Sequence, residues 1–196
     1  METSPKTQKE VIDSCKAGDE KAFGEIVLTF QRRVYNIAYR MLGSKEEAKD
    51  LAQEVFLTVF ESIRDLREEA KFEPWLIRIT LNHCRNRWNY LKRRKYFNSD
   101  SLDDPVETED GAIPKQLGDP SDNPETLLEK KMIQNWIQKG LQKLKGEQRE
   151  LIVLRDLQGF SYEEIGRLFG LPEGTVKSKL HRARMDLKEI LGRMGH

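Results

Sequence analysis

The stretch from Ser161 to Leu191 constrains this chain more than any other. Ser161-Tyr162-Glu163-Glu164 has the form of a capping box. In such a box the serine hydroxyl accepts from the amide three residues on, and the glutamate reaches back to the serine amide. It opens a short helix with Ile165, Leu168 and Phe169 inward. Gly170-Leu171-Pro172 stops that helix, since glycine accepts a turn conformation and proline suits a helix start. The helix that follows gathers Val176, Leu180, Ala183 and Leu187 on one face. Its other face presents Ser178, His181, Arg182 and Met185, flanked by Lys177 and Arg184. A short helix, a tight turn and a longer basic helix predict a helix-turn-helix, whose second helix enters a DNA major groove. Lys and Arg neutralise phosphates there, while Arg and short polar groups reach base edges.

The rest of the chain follows the same helical period. Phe23, Ile26, Val27, Phe30, Val34, Ile37, Ala38 and Met41 share a face until Gly43 breaks the pattern. Ser44-Lys45-Glu46-Glu47 is another capping-box candidate. It leads a helix carrying Ala48, Leu51, Ala52, Val55, Phe56, Val59, Phe60 and Ile63. A third helix is expected from near Pro74, with Trp75, Leu76, Ile79, Trp88 and Leu91. Beyond residue 126 one pattern runs through Leu127, Leu128, Ile133, Trp136, Ile137, Leu141 and Leu144. A second runs through Leu151, Ile152, Leu154 and Leu157. No stretch alternates with a strand period, so the expected fold class is all-α without a sheet.

Charge divides this all-α chain into parts. The overall balance of +1 hides 19 basic and 15 acidic side chains over residues 1–97. Residues 98–128 carry 1 basic and 9 acidic groups, and residues 129–196 carry 14 and 9. Two mildly basic bodies therefore flank an acidic strap that holds Pro105, Pro114, Pro120 and Pro124. Its few apolar anchors cannot offset the entropy of ordering it, so it reads as a flexible linker. The expected domains are two small helical ones, 1–97 and 127–196, joined by the linker 98–126. The apolar runs are too short for a membrane span or signal peptide, and two cysteines make no disulfide scaffold. A cytoplasmic protein without direct membrane insertion is expected.

Two further constellations point to binding. Asp50, Gln53, Glu54, Leu57 and Glu61 face outward from the second helix, as either a solvated face or a protein contact. From Phe72 onward aromatic, amide and basic residues interleave through Trp75, Arg78, Asn82, Arg85, Arg87, Trp88 and Tyr90, ending in Lys92-Arg93-Arg94-Lys95. Stacking rings with phosphate-neutralising cations describe a surface for single-stranded nucleic acid, although Trp75 and Trp88 serve equally well as core. Enzyme chemistry finds little support. Asp103-Asp104 and Glu68-Glu69 are adjacent loop carboxylates that point apart, and His83 beside Cys84 on a helix shares no face with it. His83, Cys84 and Cys15 offer no four-ligand spacing, so no metal site and no cofactor is expected.

With these segments in hand, the chain resembles the bacterial RNA polymerase sigma factors of the extracytoplasmic-function (ECF) subclass. Three stretches carry the resemblance: Asp50-Leu-Ala-Gln-Glu-Val-Phe56, then Phe72-Glu-Pro-Trp-Leu-Ile-Arg-Ile-Thr-Leu-Asn82, then Ser161-Tyr-Glu-Glu-Ile-Gly166 with Gly174-Thr-Val-Lys-Ser-Lys-Leu-His-Arg-Ala-Arg184. It spans about Gly18 to Lys95 and about Leu127 to Leu191. The resemblance implies sigma regions two and four, no catalysis by the chain itself, and core RNA polymerase and promoter DNA as partners. It implies that Asp50, Gln53, Glu54 and Leu57 dock on the beta-prime clamp coiled coil, and that the C-terminal domain touches the beta flap. Leu66, Arg67, Phe72, Trp75, Arg78, Asn82 and Arg85 would handle the melted minus-ten strand. Lys177, Ser178, His181, Arg182 and Arg184 would read the minus-thirty-five duplex. Leu66 stands where some relatives have an aromatic residue. The resemblance also implies an anti-sigma factor as a partner, and a linker that threads the polymerase cleft, where its acidity mimics RNA. A conventional duplex-binding regulator explains the C-terminal motif equally well, but not the aromatic-basic run from Phe72 to Lys95.

Overall fold

The computed structural model describes residues 7–68, 71–98 and 124–195, and every regular element among them is helical. The expected linker at 98–126 lies almost wholly outside the described residues. The N-terminal body comprises α1 (Gln8–Lys16), α2 (Glu20–Leu42), α3 (Lys45–Ser62) and α4 (Phe72–Asn98). A single 3-10 turn, Ile63–Asp65, follows α3. The C-terminal body comprises α5 (Pro124–Lys143), α6 (Gly146–Ile152), α7 (Tyr162–Phe169) and α8 (Glu173–Met194). A π-helical turn, Val153–Leu157, leads out of α6.

Local chemistry sets these boundaries. Asp19 caps α2, its carboxylate accepting from the amides of Lys21 and Ala22. Gly43 ends it at φ 82°, a left-handed conformation that a Cβ would strain. Ser44 caps α3 by accepting from the Glu47 amide. The reciprocal half of the expected box is replaced: the Glu47 carboxylate instead takes Arg87 of α4 at 2.5 Å. An ionised partner from another helix wins over a neutral amide of its own. The Ser161 box is complete, with the Glu164 amide donating to the Ser161 hydroxyl and the Glu164 carboxylate accepting from the Ser161 amide.

Packing follows the predicted stripes with instructive exceptions. Ile26, Val34, Ile37, Ala38 and Met41 of α2 are buried against Leu51, Val55 and Val59 of α3 and Leu76, Ile77 and Leu81 of α4. Each of these side chains except the small Ala38 contributes roughly 1.5–3 kcal/mol on leaving water. In the C-terminal body Leu141, Leu151, Leu154, Ile165, Val176, Leu180 and Ala183 form the core. Leu128, Ile133, Trp136 and Leu157, expected inside, are exposed, as is Phe60 of α3. Phe60 meets only the edge of the Phe23 ring of α2, and the other four keep a large part of their surface in solvent, so periodicity alone overstates the core. Helix α1 has no counterpart in the sequence reading, because its anchor is short: Ile12 and Cys15 are buried and Val11 partly so. The third helix begins at Phe72, one turn's edge before the expected Pro74. Cys15 and Cys84 are buried thiols, and burial pushes Cys84 up to about 12.

The two bodies pack against one another. Helix α5 crosses the C-terminal end of α2, and α7 lies against α4. Hydrogen bonds, an ion pair and arginine–ring contacts cross this seam, and it determines which candidate residues are accessible.

Candidate nucleic-acid and polymerase interfaces

The helix-turn-helix is built as the sequence requires. Gly170 closes α7 at φ 67° and the Leu171 amide donates to the Gly166 carbonyl at 2.9 Å. A Cβ on Gly166 would stand 2.7 Å from the Leu171 carbonyl oxygen, so the tight turn needs glycine there. Pro172 occupies the cap position of α8. With Val176, Leu180 and Ala183 locked against the core, Lys177, Ser178, His181, Arg182, Arg184 and Met185 are all exposed. Lys177, His181 and Arg182 have no side-chain partner among the described residues. The Ser178 hydroxyl donates to the Thr175 carbonyl. Arg184 is held: its Nε donates to Asp156 Oδ2 at 3.0 Å and its Nη2 to Oδ1, which raises its pKa further. Asp156 thus fixes Arg184 at the rim of the α8 face.

The aromatic-basic run of α4 is divided among three directions. Phe72 is fully buried, its ring 5.4 Å from Phe30 and 5.8 Å from Trp75. Leu66 is buried as well. Neither side chain presents a surface to a strand in this conformation; both shape the base of the loop, because the core claims their apolar area. Trp75 and Trp88 are partly buried against the core. Arg87 turns to α3, donating to Glu47 and Glu54 at 2.5 Å each. Arg67 is exposed. Arg78 and Arg85, seven residues apart and therefore on one face, turn to the C-terminal body. Arg78 donates to the Arg167 carbonyl at 3.4 Å. Arg85 donates from Nε and Nη2 to the two Glu150 oxygens, each at 2.7 Å, and from Nη1 to Asn82 at 3.1 Å. The hydrogen bonds to Glu150 hold the Arg85 pKa above its ordinary value. Glu150 is the residue that sequence reasoning missed; its place two residues before the Ile152–Leu154 core gave no signal.

On α3, Asp50, Gln53 and Leu57 are exposed, Leu57 at 63%. Glu54 is partly engaged by Arg87, and His83 Nδ1 stands 3.8 Å from its other oxygen. Leu57 borders a groove of about 1200 Å³ between α2 and α3, shared with Phe23, Leu28, Tyr35 and Phe60. Leu28 is 71% exposed and Phe60 48%. Leu28 lies off the buried stripe of α2 and was missed in the sequence, because its partnership with α3 exists only once the two helices pack. Among the described residues no group of three His, Cys, Asp or Glu could hold a metal, and no helix is long and apolar enough to cross a membrane.

Two family models match in the order the geometry suggests. Residues 26–94 match Sigma-70 region 2 and residues 134–187 match Sigma-70, region 4. The fold and its paired modules thus define a sigma-type transcription initiation factor, a class without catalysis of its own. Over 183 residues the chain is 33% identical to the ECF RNA polymerase sigma factor SigW of Bacillus subtilis, covering 93% of this chain and 96% of that one. It is 31% identical over 181 residues to the ECF RNA polymerase sigma-E factor of Escherichia coli K12, covering 91% of each. The chain belongs to the ECF RNA polymerase sigma factors. In solved structures the fold is similar to CnrH in complex with the cytosolic domain of CnrY, with TM-score 0.66 and 21% identity over 95% of this chain and 97% of that one. It is also similar to the sigma factor RpoE bound to the anti-sigma factor NepR from Bartonella quintana, with TM-score 0.62 and 24% identity over 88% and 98%.

Proposed function

We propose that this ECF sigma factor gives core RNA polymerase its promoter specificity through three separate faces. The exposed face of α8 reads duplex minus-thirty-five DNA through Lys177, Ser178, His181 and Arg182, with Arg184 on the flanking phosphates. The α4 face, with Arg67, Trp75, Arg78, Asn82 and Arg85, holds the melted minus-ten strand, and Leu66 and Phe72 support its loop. The α3 face, with Asp50, Gln53, Glu54 and Leu57, docks on the beta-prime clamp coiled coil. The C-terminal body touches the beta flap, where the exposed Leu128, Met132 and Trp136 of α5 offer apolar area. The protein works in the cytoplasm. An anti-sigma factor covers the α2–α3 groove, whose exposed Leu28, Leu57 and Phe60 form an apolar patch suited to a partner helix.

The observation that carries this reading is the α8 face. Four polar or basic side chains stand in solvent on a helix whose opposite side is buried at Val176, Leu180 and Ala183. Run-off transcription with core polymerase over a randomised promoter library tests it. Specific start sites that depend on the added chain are the expected result. Transcription that stays unspecific removes the reading.

A further inference from the structure

The cations of α8 fall into two sets. Lys177, His181, Arg182 and Lys188 are exposed and have no side-chain partner among the described residues. Lys179 and Arg184 are each matched by a carboxylate from outside α8. Lys179 Nζ donates to Glu147 Oε1 of α6. Arg184 donates from Nε and Nη2 to the two oxygens of Asp156, in the π-helical turn that follows α6. The helical period gives this sorting a geometry. Val176, Leu180 and Ala183 centre the buried side of α8. Lys179 stands at one border of that side and Arg184 at the other, so the four unmatched cations lie between them. The border of Lys179 also carries Asp186, whose carboxylate accepts from Gln148 of α6. One short segment, α6 with its turn, therefore sets the charge along both edges of the reading face.

The two pairs are partly exposed, with side-chain accessibilities of 37% and 57% for Lys179 and Glu147. For Arg184 and Asp156 they are 47% and 32%. Ion pairs this open to water add little to folding stability. Their effect lies in the field around α8. Sequence-independent attraction to DNA counts the phosphates neutralised and the counterions released. A cation that arrives with a carboxylate attached brings no net charge. To neutralise a phosphate it must leave its partner, and that carboxylate then faces the polyanion. For Arg184 the barrier is doubled, because the fork that would grip a phosphate is already filled. In a non-specific encounter the helix is free to shift, and every unmatched cation finds a phosphate. At the right sequence, base contacts fix the register of the helix, and the edges take only what that register offers.

We propose that Glu147 and Asp156 set the DNA specificity of α8 by cancelling its two edge cations, which confines phosphate attraction to the reading face and holds down sequence-independent binding. The proposal rests on the assignment of α8 to duplex DNA and extends it to two acidic residues outside that helix.

The test measures binding of the full chain by fluorescence anisotropy over a range of salt concentrations. The probes are two labelled duplexes: the unselected pool of the randomised promoter library, and a sequence selected from it by run-off transcription. Glu147→Gln with Asp156→Asn keeps the shapes and removes both charges, and far-UV circular dichroism checks folding. On the pool, the plot of log affinity against log salt should steepen by about 0.9 for each cation released. Affinity for the pool at low salt should rise about tenfold, and that for the selected sequence by less. An unchanged slope overturns the proposal, and an equal gain on both duplexes overturns its claim on specificity. Glu25→Gln on α2 makes one such change of net charge on the other body, and there the slope should stay. A slope that steepens as much per charge with Glu25→Gln overturns the assignment to these two positions. Adding Arg184→Ala to Asp156→Asn should return the slope to that of the unmodified chain, and a slope that stays steep shows that Asp156 does not act through Arg184. Lys177→Ala judges the underlying assignment separately. A slope shallower by about one keeps α8 on the phosphates, and an unchanged slope removes it from them.

Discussion

The α8 face and the α4 face carry the same kinds of side chain and stand in opposite conditions. On α8, Lys177, His181 and Arg182 are in solvent and without partners among the described residues. On α4, Arg78 and Arg85 are already bonded, one to a carbonyl and one to a carboxylate. A cation ready for DNA and a cation taken by its own protein look alike in a sequence. What separates them is the fate of the neighbouring surface: α8 lies at the edge of its body, whereas α4 is where the other body rests.

The comparison can be broken or sharpened by substitution, beginning with the largest effect. Asp50→Lys with Glu54→Lys reverses the α3 face. Association with core polymerase should be lost in co-purification while circular dichroism shows intact helices. A double variant still retained by core removes that face from the mechanism and leaves only the two DNA faces to compare. Leu180→Ala empties a buried site under α8, and it should lower stability by about 2–5 kcal/mol in denaturant unfolding. Binding of a duplex should fall with it, while the N-terminal body keeps its helices.

Arg182→Ala bears on α8 directly. Promoter affinity should fall by roughly 1–3 kcal/mol if the guanidinium reads a base, with relaxed preference at one position of the upstream element. A uniform loss across matched and mismatched duplexes in footprinting would place Arg182 on phosphate. The smallest effect is expected for Ser161→Ala, about 1 kcal/mol, read from the thermal unfolding midpoint. This capping box also has a pH signature. The Ser161 amide, and then its hydroxyl, holds the Glu164 carboxyl below its ordinary value. The stabilisation is complete above the unfolded carboxyl pKa, and it fades as pH falls through the lowered folded value. Because Ser161→Ala keeps the amide and loses only the hydroxyl, an acid titration of stability should flatten in part relative to the unmodified chain.

The difference between the faces also explains what the sequence made legible. The α7–turn–α8 unit is written in local chemistry: a cap, a left-handed glycine, a proline and one buried stripe. Each lies within a few residues of what it controls, so Ser161, Gly170 and Ala183 could be placed before any fold was known. The α4 run was legible as chemistry but not as geometry. Its helical period sends Phe72 and Cys84 inward, Arg87 to Glu47 and Glu54, and Arg85 to Glu150, sixty-five residues away. No short-range pattern records a partner at that separation. The same limit applies to the groove, where Leu28 and Phe60 meet only because α2 and α3 pack. Trp136 and Leu128 show the reverse error, since a regular apolar spacing says which side of a helix is sticky but not that something covers it.

One consequence of the burial of Cys84 remains. A thiol with no solvent contact, raised to about 12, offers almost no thiolate to an oxidant or alkylating reagent while α4 stays in place. Its modification rate is therefore a clock for transient exposure of the N-terminal core. Timed alkylation in whole cells would report how often that core breathes and whether bound partners slow the rhythm.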